Sequence, residues 1–386
     1  LEQCFTLSPG RKKALSTWGK GKALLQGAIP IKKTVARNSA THRRISAGKI
    51  IAARQHRLTP AYNRPIWLGV ESRHSGLAPL HYKETRMKWL IVCIYIFSIL
   101  FIHFRGRVRL PFLRQFFDHS SIMAPINLFM YAFSKVPPSV PYVKASHFEG
   151  LHLLDENWQM IRDEGLHLQA ISKIKAAEKN DDAGFNSFFK NGWKRFYLKW
   201  YDANHPSAIE FCPNTVALLA RIPCVKAAMF AELPPEGVLN PHRDPFAGSL
   251  RYHLGLVTPN DDRCFIEVDG ERYSWRDGQS VIFDETFIHW AKNGADTNRI
   301  ILFCDIERPL RYKWAQSVNK WLGKTMMTAA SSPNETGDQT GRINKLFRFV
   351  WLAGQYRRRF KRWNKNVYRA TKYGLIIAAA LLIIYL

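Results

Sequence analysis

Between Val225 and Ile306 the chain is cut into short apolar runs by turn signals at Pro234-Pro235-Glu236-Gly237, Pro259-Asn260, Asp269-Gly270 and Asp277-Gly278. Many short strands separated in this way predict an all-β sandwich or barrel and argue against a parallel α/β sheet. Upstream, from about residue 146 to 219, the pattern is helical, with Trp158, Ile161 and Leu166 set among charged residues. A Trp- and Phe-rich stretch at 187–200 follows within it. Residues 145–315 are therefore expected to hold one mainly β domain entered through helices.

The formal net charge of +27 invites a nucleic-acid reading, but its distribution removes it. Residues 1–86 carry 17 Lys/Arg against three acids, and residues 342–372 carry 11 Lys/Arg and no acid, so the middle of the chain is almost neutral. With 46% hydrophobic and 13% aromatic residues, the chain is not of disordered composition. Residues 1–86 contain no Met, no Asp and no convincing hydrophobic period, whereas Met87 is followed at once by Lys88 and an apolar run. The expectation is that 1–86 is an upstream extension outside the native protein and that function starts at Met87. Six cysteines without a CxxC pair fit free thiols in a reducing compartment.

The run Trp89–Phe104 is interrupted only by Ser98 and His103. Arg105, Arg107, Arg109 and Arg114 follow it, and no small-residue cleavage site does, so 87–110 reads as an uncleaved membrane anchor. The excess of basic residues after the run places the downstream domain in the cytoplasm. Residues 328–341 are polar and read as a linker. Beyond it Tyr356, Phe360, Trp363 and Val367 recur at helical spacing among Arg and Lys, the pattern of a basic amphipathic helix on an anionic membrane surface. An apolar tail, Tyr373–Leu386, belongs in lipid, either as a short span or as an insertion, and together with the basic helix makes up the membrane segment 342–386.

The segment PHRDPFAGSLRYHLGL at 241–256 carries the chemistry. In an extended chain, residues i and i+2 share a face, so His242 and Asp244 can reach one metal ion, and Pro245 biases Asp244 toward that backbone. An HxD pair alone weighs little in a chain with 13 His. The weight comes from His289, 47 residues downstream after a predicted strand. Two imidazoles and a carboxylate form the facial triad of non-haem Fe(II) oxygenases, and the helical HExxH spacing of zinc hydrolases is absent. Arg299, in the apolar strand NRIILFCDIE, is either a clamp for a carboxylate or a structural partner of Asp305 or Glu307. Arg251 and His253 share one face of the strand LRYHLGL and can line the same pocket.

Taken together, FCPNT, LPPEG, PHRDP, RYHLGLVTPNDD, VDGERYSWRDGQSVIFDETFIHWAKN and RIILFCDIERP resemble the aspartyl/asparaginyl β-hydroxylase family over roughly 145–310. Within it the chain is most similar to the bacterial lipid A acyl-chain 2-hydroxylases. The resemblance implies a double-stranded β-helix (jelly-roll, cupin-like) core with N-terminal helices and flanking membrane-anchoring helices. It implies catalytic iron, Fe(II), on His242, Asp244 and His289, and the cosubstrate 2-oxoglutarate on Arg299, with Arg251 and His253 nearby. The implied reaction uses O2 and 2-oxoglutarate to hydroxylate the 2-position of a fatty-acyl chain of lipid A at the bacterial inner membrane. Two alternatives stay open: an Asp/Asn side chain of a protein as substrate, and a scaffold that has kept the fold without catalysis. Ala231 departs from relatives that carry Ser before the LPPG-like turn, which puts one hydrogen bond to the cosubstrate in doubt.

Overall fold

The computed structural model describes residues 78–386 apart from 117, 178–180 and 386, so most of the expected extension 1–86 lies outside the described residues. Helices α1 (Ala78–Arg105), α2 (Phe112–Phe116), α3 (His119–Ile122), α4 (Ala124–Phe133), α5 (His152–Glu156) and α6 (Trp158–Ala170) precede the first strand, β1 (Lys194–Trp200). Two short helices, α7 (Pro206–Phe211) and α8 (Pro213–Ala220), lead to β2 (Val225–Leu233). Then come β3 (Val238–His242), β4 (Ser249–Val257), β5 (Cys264–Val268), β6 (Glu271–Ser274), β7 (Ser280–Phe283), β8 (His289–Asn293) and β9 (Arg299–Glu307). The chain closes with α9 (Lys313–Thr328), α10 (Arg342–Trp363) and α11 (Lys365–Tyr385).

One sheet has the order β1-β2-β9-β4-β7 and the other β3-β8-β5-β6, with antiparallel pairing throughout. Counted from β2, the sheets read first-eighth-third-sixth and second-seventh-fourth-fifth. That is the strand order of a double-stranded β-helix, with β1 added at one edge, and the mainly β, jelly-roll expectation holds. The predicted turns fall between strands. At Asp269-Gly270 only two residues separate the paired Val268 and Glu271, and both have positive φ (52° and 84°), as a two-residue hairpin matched to strand twist requires.

Period-two alternation sorts the five-stranded sheet into two faces. Leu250, Tyr252, Leu254, Ile300, Leu302 and Cys304 point outward into a core shared with Leu154, Ile161, Leu168 and Leu218 of the helices. Between the sheets lies a second core, in which Met229, Ala231 and Ile301 meet Ile266, Val268 and Ala291. The intervening positions Arg251, His253, Arg299 and Asp305 therefore also face inward, which is unusual for charged residues in a core and marks the site.

Three expectations need correction. Residues 328–341 do not behave as a linker, because their polar side chains serve as hydrogen-bond partners for the domain. Asn334 accepts from the Tyr197 amide (2.7 Å) and donates to the Tyr197 carbonyl (2.8 Å), and Asp338 takes the Ser207 hydroxyl (2.6 Å). Asn334→Ala strands two buried backbone groups and is expected to cost about 1–3 kcal/mol, read as a lowered urea midpoint with an unchanged slope. Second, the basic helix expected through 342–372 breaks at Asn364, whose side chain accepts from the amides of Asn366 and Val367 (both 3.0 Å) and starts α11. Val367 thus belongs to a different helix from Tyr356, Phe360 and Trp363. Third, Arg105 is not a free flanking charge. Its side chain is buried against Asp284 (3.2 Å), which also holds Arg308 (2.8 Å). The Asp269 carboxylate accepts the amides of Arg107 (3.0 Å) and Val108 (2.9 Å), so the end of α1 is tied to the domain.

Candidate functional site

Pro241 has no amide hydrogen to give the β3–β8 ladder, and the register shifts between Leu239 and His242. Beyond that irregularity His242 pairs directly with His289, the first residue of β8, and the two rings stand 4.2 Å apart between centroids. Asp244 follows as the chain leaves β3, its amide donating to the Glu285 carbonyl (2.9 Å). The ligand atoms of His242, Asp244 and His289 all lie within 4.8 Å of one another.

The donor set suits a divalent transition metal. His242 Nδ1 lies 2.7 Å from the Asn240 carbonyl and His289 Nδ1 lies 3.0 Å from that of Phe287. A carbonyl can only accept, so each Nδ1 carries the hydrogen and each Nε2 turns a lone pair toward the centre, as in metal-binding histidines. Burial, reinforced by neighbouring His242, pulls the His289 pKa down to about 3, which keeps it an uncharged donor at neutral pH. Burial alone would raise the Asp244 pKa, but Arg251, with His289 and His242, holds it below the usual carboxylate value.

Arg251 lines the same cavity as His253, as expected, and is also tied to neighbouring acids. It contacts Asp244 (2.5 Å) and also Glu285 and Asp305, its cross-strand partner, and its guanidinium lies over the Phe303 ring at 3.8 Å. From the wall of the cavity Arg251 thus orients Asp244. Glu285, pushed up by burial and by Asp305 and Asp244 despite Arg251, is the acid of this cluster most inclined to keep a proton. Neither Glu285 nor Asp305 stands out in the sequence as part of the site. Arg251→Lys cannot serve all three acids and is expected to weaken divalent-metal binding about 10–100-fold, measured by chelator competition.

Arg299 resolves the other way. Asp305 is engaged by Arg251, and Glu307 by Lys226 (3.3 Å), so neither proposed structural partner is available to it. Arg299 is 2% exposed, and its guanidinium lies 4.4 Å over the Trp275 ring, with Nε and Nη2 lacking any hydrogen-bond partner. Both ring nitrogens of His253 and Nε1 of Trp275 are likewise buried without partners. Burial, with Arg251 and Arg299 adding to it, holds His253 well below its usual pKa and therefore neutral.

These groups line one narrow cavity. His242, Asp244 and His289 share it with Arg299, His253 and Trp275, and Phe185, Phe188, Ala231 and Ile301 make up much of the apolar wall. Phe188 stands against the His242 ring at 4.8 Å. Buried donors are rarely left unpaired, so several of them facing one cavity call for an anionic or strongly accepting ligand.

Residues 155–309 match the family model of Aspartyl/Asparaginyl beta-hydroxylase, and the chain carries a domain of that family. An ornithine lipid ester-linked acyl 2-hydroxylase of Rhizobium tropici is 39% identical over 120 residues, covering 31% of this chain and 43% of that protein. The aspartyl/asparaginyl beta-hydroxylase of Homo sapiens is 31% identical over 161 residues, covering 40% of this chain and 21% of that one. The chain thus spans less than half the length of these curated relatives. A Pseudomonas putida prolyl-4-hydroxylase structure aligns over 41% of this chain and 90% of that chain, at 17% identity and a TM-score of 0.28. That likeness is too slight to add to the strand order itself.

Proposed function

We propose that this chain is an Fe(II)- and 2-oxoglutarate-dependent hydroxylase acting on the 2-position of a fatty-acyl chain in a membrane lipid, with lipid A as substrate. The observation that carries the chemistry is the buried, unpartnered guanidinium of Arg299 in the same cavity as His242, Asp244 and His289. Iron held by those three residues supplies the oxidising chemistry that an unactivated C–H bond needs and that side chains lack. The balance is one acyl C–H, O2 and 2-oxoglutarate converted to the hydroxyl, succinate and CO2.

The chain's own residues bind and orient. Arg299 takes the distal carboxylate of 2-oxoglutarate, and neutral His253 adds one donor beside it. Arg251 fixes Asp244, and the phenylalanines at the mouth keep water from the reacting end. The lipid substrate is supported by α1, whose segment Arg86–Arg105 is long and apolar enough to cross a membrane, and by the lipid-modifying Rhizobium relative. In this reading α1 anchors the enzyme in the bacterial inner membrane with the domain facing the cytoplasm, and the basic α10 rests on the anionic surface. Confinement there raises the effective substrate concentration.

The human relative supports a second reading, hydroxylation of an Asp or Asn side chain in a protein. Release of CO2 from carboxyl-labelled 2-oxoglutarate by the purified chain discriminates. Stimulation by a lipid A fraction is expected; stimulation by Asp- or Asn-containing peptide and not by lipid would reverse the assignment.

A further inference from the structure

Helix α9 has two faces that do not match its surroundings. Ala315, Asn319 and Gly323, four residues apart, are buried against the domain, and Asn319 donates to the Gly248 carbonyl (2.8 Å). On the opposite side Trp314 (54% exposed), Val318 (37%) and Trp321 (64%) recur at i, i+4 and i+7, with Tyr312 (54%) just ahead of the helix. Single exposed apolar residues are ordinary, but two tryptophans and a valine along one helical stripe are not.

The stripe leads onto α4. Trp314 packs edge-on to Phe133 (5.0 Å) and Phe129 (5.8 Å) of α4. Helix α4 in turn packs against the C-terminal half of α1, where Ile99 and Ile102 join Met130 and Tyr131 in one core. The N-terminal half of α1 is bare, with Trp89, Leu90, Ile91, Ile94 and Phe97 all exposed. A bilayer that receives those residues therefore lies next to α4 and the tryptophan face of α9. Tryptophan is the residue that favours the headgroup level.

Charge agrees with this placement. An open cavity of about 740 Å³ sits between α9, the ends of β1 and β2 and the 246–248 loop. Lys199, Lys226, Lys320 and Lys324 line it, against Asp202 and Glu307. Lys324 pairs with Asp202 (2.7 Å) and Lys226 with Glu307 (3.3 Å), which leaves two of the four lysines in excess. The Lys199 pKa is pulled down by burial and by Lys226.

We propose that α9 lies in the membrane–water interface beside α1, and that the lysine-lined cavity next to it seats the anionic headgroup of a bilayer lipid. The 246–248 loop that walls this cavity follows directly on Asp244 and Pro245, so a lipid held here lies close to the candidate site. This binding requires α1 to enter a membrane but does not require turnover or any particular substrate, so its failure is separable from failure of the hydroxylase reading.

The test is tryptophan quenching in proteoliposomes of phosphatidylcholine holding the full chain. Small equal amounts of brominated phosphatidylglycerol or brominated phosphatidylcholine are added, with bromine near the carbonyl end of the acyl chains. The emission lost on Trp314→Phe/Trp321→Phe substitution isolates the two tryptophans, and phenylalanine keeps the fold. Both lipids should quench this component, phosphatidylglycerol at least about fivefold more strongly, since each of the two unpaired lysines is worth about 1 kcal/mol toward an anionic lipid. Lys199→Gln/Lys320→Gln should abolish the preference while leaving the quenching itself. Emission untouched by either lipid overturns the placement of α9: open to aqueous iodide, the face is free in water; shielded from iodide, a protein covers it. Equal quenching by the two lipids in the unsubstituted chain overturns the headgroup site.

Discussion

Arg299→Met is expected to raise the stability of the cosubstrate-free protein while nearly abolishing its affinity for 2-oxoglutarate. The two effects have one origin. The guanidinium is desolvated with two donors unsatisfied, and its pKa is pulled down by burial to about 10. At neutral pH it stays charged, so the folded state carries the cost of that burial; the cost is relieved only as pH rises through about 10 toward the usual arginine value, because the folded state sheds its proton first. Replacing buried charge by an apolar side chain of similar length commonly stabilises by about 1–4 kcal/mol. For a domain of this size that is about 2–4 °C in Tm per kcal/mol. Losing a buried charge partner costs a ligand about 2–5 kcal/mol, a factor of about 30 to several thousand in affinity. Thermal scans with and without 2-oxoglutarate read both effects. A variant that melts earlier than the parent without ligand would show that Arg299 is a structural residue.

His289→Ala and Asp244→Ala should each reduce turnover to background and release iron to a weak chelator. His289 is 7% exposed and its Nε2 faces the centre, so no other described side chain can take its place without moving a strand. Removing Asp244 also deprives Arg251 of one of its three carboxylates, which Glu285 and Asp305 continue to hold, so the fold should survive. The loss is therefore one of metal binding, and far-ultraviolet circular dichroism should be unchanged. Normal turnover in Asp244→Ala would mean that two histidines suffice here.

The β architecture was legible because alternation and turns are local properties. In β9 the pattern RIILFCDIE already separates outward Ile300, Leu302 and Cys304 from inward Arg299 and Ile301. His242, Asp244 and His289 could be grouped because the HxD spacing and a later strand-edge histidine survive without knowledge of pairing. The role of Arg251 was not legible, since its partners come from register: Asp305 lies opposite it on β9, and Glu285 sits in the loop beyond β7. Composition misled at 328–341, where Ser, Asn and Asp suggest a solvated linker but instead satisfy buried backbone of β1. The same limit hid the ion pair of Arg105 with Asp284, which looks in the sequence like one more basic residue after an apolar run. The two-faced character of α9 emerges only once Ala315, Asn319 and Gly323 are seen to be the buried side.

The most direct test of the central claim is mass spectrometry of lipid A from cells with and without the chain, with the Asp244→Ala form as control. The account predicts a gain of one oxygen on a fatty-acyl chain, located at the carbon next to the carbonyl and absent in the control. Unmodified lipid A from cells in which the purified chain still converts 2-oxoglutarate to succinate would contradict it and move the substrate to another lipid or to a protein.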